Sequence, residues 1–165
     1  MRNLLYFIFF NFSLLVTGQE MTSDRLGQLF EEVAETVVEN GNSYNILYKE
    51  KPIFCIFDER ANRMRIISPI VEREEIGEKE ILNALVANFH SALDVKYALS
   101  DEIIWSVFTH PLKELSDDQV LDALDQVYLA SATFGNSYTS TSIVFPGNTK
   151  KEEKHTKKLI ERSKN

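Results

Sequence analysis

Three apolar runs of strand character, at residues 44–48, 53–58 and 64–68, follow one another with only Lys49-Glu50-Lys51-Pro52 and then Glu59-Arg60-Ala61-Asn62-Arg63 between them. Connections this short only let a strand turn back beside its neighbour, because a parallel return takes a dozen residues or more. An antiparallel meander is therefore the unit around which the rest of the chain must pack.

Helices flank it. Before the meander, Thr22 or Ser23 can cap a helix in which Leu26, Leu29, Phe30, Val33 and Val37 recur at spacings of three and four. Glu31, Glu32 and Glu35 take the wet side, and Gly41 supplies the stop. After the meander the acidic link 72–75 leads into a second helix over 77–89, with Leu82, Leu85, Val86 and Phe89 on one face. Two further strands, 95–99 and 102–110, turn at Ser100-Asp101 and form a hairpin. Ser116 with Gln119 three residues later is a capping box for a third helix, whose stripe runs Val120, Leu124, Val127, Ser131 and Phe134 until Gly135 ends it. The tetrapeptide Gly-Asn-Ser-Tyr at 41–44 and again at 135–138 reads as two separate glycine helix stops, because the flanking apolar spacings do not repeat. The order is αβββαββα, and 165 residues at 44% hydrophobic content suit one α+β domain: an antiparallel sheet packed by helices.

The first 18 residues stand apart. Arg2 precedes an apolar run from Leu4 to Phe10 and then Leu14-Leu15-Val16, and Val16-Thr17-Gly18 has the form of a cleavage site. Asn11 and Ser13 interrupt the run, which falls short of the roughly 20 residues a membrane crossing needs. Residues 1–18 are thus a secretory signal peptide, 19–147 the domain, and 148–165 a basic tail. The expected place is the periplasm or the exterior of a bacterial envelope. Cys55 has no partner in the chain and sits among Ile53, Phe54, Ile56 and Phe57, as a buried thiol would. Between residues 19 and 149 there are 10 Lys plus Arg against 22 Asp plus Glu, a net of −12; residues 150–165 have 7 against 3, a net of +4. An acidic body repels phosphate backbones and excludes nucleic acid as a partner. A membrane contact by the basic tail is the weaker reading of that segment.

Several stretches carry a family likeness: Asn62-Arg63-Met64-Arg65-Ile66-Ile67-Ser68-Pro69, Ala87-Asn88-Phe89-His90-Ser91-Ala92-Leu93, Leu99-Ser100-Asp101-Glu102-Ile103-Ile104-Trp105-Ser106, His110-Pro111-Leu112 and Thr133-Phe134-Gly135-Asn136-Ser137-Tyr138. With the element order, they make residues 22–147 resemble the type III secretion chaperone fold and the related YbjN-like proteins, described as sensory transduction regulators. The resemblance implies binding of a polypeptide or another partner, commonly as a homodimer, and brings no catalytic residue with it. Secretion chaperones of this fold act in the cytoplasm, whereas this chain has an export leader.

On the strand 102–110, Ile103, Trp105, Val107 and Thr109 share one face, read as the core side; Glu102, Ile104, Ser106, Phe108 and His110 share the other. Ile104 and Phe108 are too apolar for bare solvent, so this second face is the candidate binding surface: Ile104, Phe108 and His110, joined by Phe54 and Ile56 if their strand points the same way. Its cover would be a partner, a second subunit, or the segment 143–145. No ordered nucleophile, base and orienting carboxylate accompanies His110, and Ser106 lacks the turn that would expose it, so the chain is read as non-enzymatic. His90, His110 and His155 lie far apart, and Asp118, Asp122 and Asp125 read as a solvated helix face, so no metal or cofactor is expected. The competing class is a small-molecule sensor or enzyme with a pocket near Trp105 and His110; a third is a structural envelope protein tethered by its tail.

Overall fold

Thr22 begins the first helix, as its hydroxyl accepts from the Arg25 backbone N–H at 3.2 Å. Helix α1 (Ser23–Val33) buries Leu26, Gly27, Leu29 and Phe30 and ends where Ala34 turns extended. A short strand, β1 (Thr36–Glu39), follows directly. The expectation that Val37 belongs to the helix is corrected here. A spacing of four from Val33 fits either period, but the β-branched run Thr36-Val37-Val38 favours a strand, with Val37 turned to the core and Val38 to solvent. Gly41 is accordingly no helix stop: at φ +59 it helps turn the hairpin between β1 and β2 (Ser43–Tyr48). The computed structural model describes residues 20–143, so the leader at 1–18 and the tail at 148–165 lie outside the described residues.

The meander continues with β3 (Lys51–Asp58) and β4 (Arg63–Glu72), then helix α2 (Glu78–His90), β5 (Lys96–Ser100), β6 (Ile103–His110) and helix α3 (Asp117–Thr133). The six strands lie in the order β1-β2-β3-β4-β6-β5, every neighbour antiparallel. The α+β class and the helix-packed antiparallel sheet are as expected; the element order gains one strand. Ser116 and Gln119 form the capping box of α3, and the stripe Val120, Leu124, Val127, Ser131 is buried.

Two hairpins use two-residue turns with both residues left-handed: Lys49 (φ 50) with Glu50 (φ 64), and Asp101 (φ 51) with Glu102 (φ 59). This geometry matches strand twist but favours Asn-Gly over side chains with a Cβ. Glu102→Gly is therefore expected to stabilise the protein by about 0.5–1 kcal/mol, the removed strain outweighing the extra chain entropy of glycine. A urea unfolding midpoint that rises confirms it, and one that falls contradicts it.

All three helices lie on one side of the sheet, with α1 over β1 and β2, α3 over β4 and β6, and α2 beside the edge strand β5. Beneath them sit Ile46, Ile53, Cys55, Met64, Ile66, Ser68, Tyr97, Ile104, Ser106 and Phe108. Helix α3 approaches closely because the sheet offers serines there: Ser106 donates to the Val127 carbonyl at 3.0 Å and Ser68 to that of Pro52 at 2.9 Å. Helix α2 is held differently. Its Asn88 side chain donates to the Tyr97 carbonyl at 3.2 Å and accepts from the Tyr97 N–H at 2.7 Å, pairing the free edge of β5 as another strand would. Only Ala84 and Ala87 of α2 are buried, and Leu82, Leu85, Val86 and Phe89 point outwards.

Candidate functional site: the open sheet face

Among the described residues, no element covers the side of the sheet opposite the helices. Strand alternation places a continuous cross-strand row there: Val38, Asn45, Phe54, Ile67, Val107 and Lys96, each the register partner of the next. At about 4.8 Å between strands the row spans about 24 Å. Beside it on one flank run Thr36, Leu47 and Pro52, and further along Pro69, Trp105 and Ala98; on the other flank run Ser43, Ile56, Arg65 and Thr109. Val38 is 52% exposed and Ile56 45%, while Phe54, Ile67, Trp105 and Val107 are half-buried by one another. The indole N–H of Trp105 donates to the Ser100 carbonyl at 3.1 Å, which lays the ring along the sheet towards the hairpin turn. The face is largely apolar and also carries Arg65 and Lys96.

The expected site residues divide between the two sides. Phe54 and Ile56 lie on the open face. Ile104 and Phe108 do not: each is 6% exposed and faces the helices, so the reading of β6 is inverted, and Trp105 and Val107 are open-face residues. The physical cause lies in Ser106, which shares their face and admits the backbone of α3, whereas indole at that position would hold the helix off. His110 lies at the end of the same side, its ring stacked on Phe108 with 6.0 Å between centroids and its Nδ1 2.8 Å from the Pro111 carbonyl. With Asp94, Phe108, Thr109, Leu115, Gln119 and Asp122 it lines a cleft of about 320 Å³. Trp105 and His110 are thus on opposite faces of β6, and Trp105 is not among the residues that line this cleft. The buried Gln126 donates to Asp122 at 2.6 Å and Asp94 at 3.3 Å, so the polar groups beside this cleft are already satisfied by each other.

The acidic run on α3 is also dispersed. Asp125 accepts from Lys49 Nζ and from the Tyr48 hydroxyl, both at 2.7 Å, and Lys49 lies over the rings of Tyr48 and Tyr128. The Asp125 carboxylate and the Tyr48 hydroxyl raise the pKa of the Lys49 ammonium above its ordinary value. Among the described residues no three metal-ligating side chains converge. Cys55 is buried on the helix side, and desolvation pushes its thiol up to about 12, which keeps it protonated at neutral pH.

No protein-family model matches the chain, and no curated protein matches it in sequence. In three dimensions it is similar to a chain of the HopA1–SchA chaperone–effector complex. The two superpose with a TM-score of 0.53 at 11% sequence identity, over 66% of this chain and 88% of that one. What they share at that identity is the fold. The likeness agrees with the chaperone-like α+β architecture expected from the sequence.

The residues missed by sequence reasoning were Val38, Leu47, Ile67, Trp105 and Val107 on the sheet and the outward stripe of α2. One signal was available for the first group. Ser68 and Ser106 are register partners in adjacent strands, and α3 opposes them with Ala123, Val127 and Ala130. Small residues on both sides mark where a helix and a sheet come closest.

Proposed function

We propose that this chain is a non-enzymatic binding protein, exported to the periplasm or beyond, that engages a polypeptide partner or a second copy of itself through the open sheet face. The observation that carries the reading is the cross-strand row on that face. Val38, Phe54, Ile67 and Val107 lie within one line across the sheet, with Leu47, Ile56 and Trp105 beside it, and an apolar patch of this continuity marks a protein contact surface. One feature supports it further: the fold is shared with a chain of a chaperone–effector complex. Placement outside the cytoplasm rests on the form of the leader at residues 1–18.

The test is crosslinking in the native envelope with mass spectrometry, comparing the wild-type chain with Leu47→Asp plus Ile56→Asp. Both side chains are exposed, so the double variant keeps its fold and loses less than about 1 kcal/mol of stability. Recovery of the partner, or of the self-crosslink, is expected to drop more than about tenfold, as for loss of central interface anchors. Undiminished recovery with a folded variant would remove the open face as the contact surface.

A further inference from the structure

We propose that the apolar outer face of α2 is the seat of this chain's own C-terminal segment, residues 144–165. The face is a stripe at helical spacing: Leu82, Leu85, Val86 and Phe89, with Phe89 78% exposed and Leu85 60%. A helix docked on its neighbour through two alanines while turning four large apolar side chains to water is incompletely packed, so a cover for the stripe is required. The stripe is separate from the open sheet face, which lies on the other side of the sheet.

Three observations select the occupant. The first is where the chain leaves the described fold. After α3 it returns to the C-terminal end of α2 and is fastened there: Ser91 Oγ donates to the Tyr138 carbonyl at 2.7 Å, the Ser140 N–H donates to the Ser91 carbonyl at 3.2 Å, and Ser140 Oγ donates to the Ala92 carbonyl at 2.7 Å. Ile143, exposed, lies three residues further on, hence within about 10 Å of that anchor at the C-terminal end of α2.

The second is the order of residues within the segment. Ile143-Val144-Phe145-Pro146 is the apolar part of the C-terminal segment nearest the anchor, and it comes first. The 13 residues of α2 extend about 20 Å, while the ten residues from the Ser140 anchor to Lys150 reach about 33 Å, so the segment can run the full length of the helix.

The third is charge. Residues 150–165 carry a net of +4, and the far end of α2 with its lead-in, residues 72–80, holds five Glu against Arg73 and Lys79, a net of −3. The segment thus presents apolar side chains to the apolar end of the helix and lysines to its acidic end. Attraction between these exposed charges weakens as salt is added.

The protein expressed with its own leader is compared with a chain ending at Ile143 and with a full chain carrying Phe145→Asp, by methyl NMR of Leu82, Leu85 and Val86. In both altered chains these methyl resonances are expected to move together, away from their wild-type positions, and bis-ANS fluorescence to rise several-fold. Wild-type positions are expected to stay unchanged on dilution. Identical methyl spectra in all three chains would overturn the proposal. So would wild-type shifts that change on dilution, since a second copy would then be the occupant. The Phe145→Asp chain retains every described residue, so loss of fold on truncation does not spare the proposal from this comparison.

Discussion

Phe108→Asp and Ile104→Asp are each expected to abolish folding, while Ile56→Asp leaves a folded protein. The three side chains look interchangeable in sequence, as apolar residues in amphipathic strands. In the structure, Ile104 and Phe108 are 6% exposed beneath the helices and Ile56 is 45% exposed on the opposite face. Burying a carboxylate at either position costs several kcal/mol of desolvation on top of the lost apolar burial. That is comparable with the total stability of a domain, about 5–15 kcal/mol. Near-ultraviolet circular dichroism reads the outcome, since packing of Tyr44, Tyr48, Tyr97 and Tyr138 depends on the core being formed. A folded Ile104→Asp, Phe108→Asp double variant would mean that the two faces of β6 are assigned the wrong way round and that Trp105 belongs to the core.

The unequal legibility of the fold has a physical pattern. Elements defined by local chemistry could be read directly: the Thr22 cap, the capping box of Ser116 and Gln119, the short connections that impose antiparallel pairing, and the burial of Cys55. Elements that depend on what packs against them could not. Both faces of β6 are apolar, so alternation specified a strand without saying which face meets α3; the answer lay in Ser106, whose buried hydroxyl is satisfied by the Val127 carbonyl and is indistinguishable in sequence from an exposed serine. The stripe on α2 was legible as a stripe, but its direction was not. The contact with β5 runs through Ala84, Ala87 and the Asn88 side chain, which is a polar, small-residue contact. Of the candidate site, Phe54 and Ile56 were joined to Ile104 and Phe108 on the condition that their strand points the same way, and it does not; Ile104 and Phe108 were misplaced for the reason that misplaced β6 as a whole.

Gly27→Ala is expected to destabilise the protein by about 1–3 kcal/mol, against the usual sign for a glycine inside a helix. By propensity alone, alanine in α1 would contribute about 0.5–1 kcal/mol of stability. A Cβ at Gly27, however, would lie 2.7 Å from the Tyr44 hydroxyl oxygen and 2.9 Å from Cζ of the same ring. A side-chain tip can often swing away, but this one is confined. The Tyr44 ring stacks edge-on with Phe30 at 6.0 Å, lies 5.5 Å from Phe57, and donates its hydroxyl to the Ser23 carbonyl at 3.1 Å. To admit the methyl group, either α1 lifts from the sheet or the aromatic cluster repacks, and both forfeit contacts in the best-buried part of the core. The coupling is testable by a double-mutant cycle. Tyr44→Phe alone loses one hydrogen bond, about 1 kcal/mol, but in the Gly27→Ala background it also removes the atom closest to the new methyl. The two changes together are expected to cost less than their sum, by about 0.5–1 kcal/mol in urea unfolding. Strict additivity, or a Gly27→Ala chain more stable than wild type, would show that α1 is not seated on Tyr44 through this glycine.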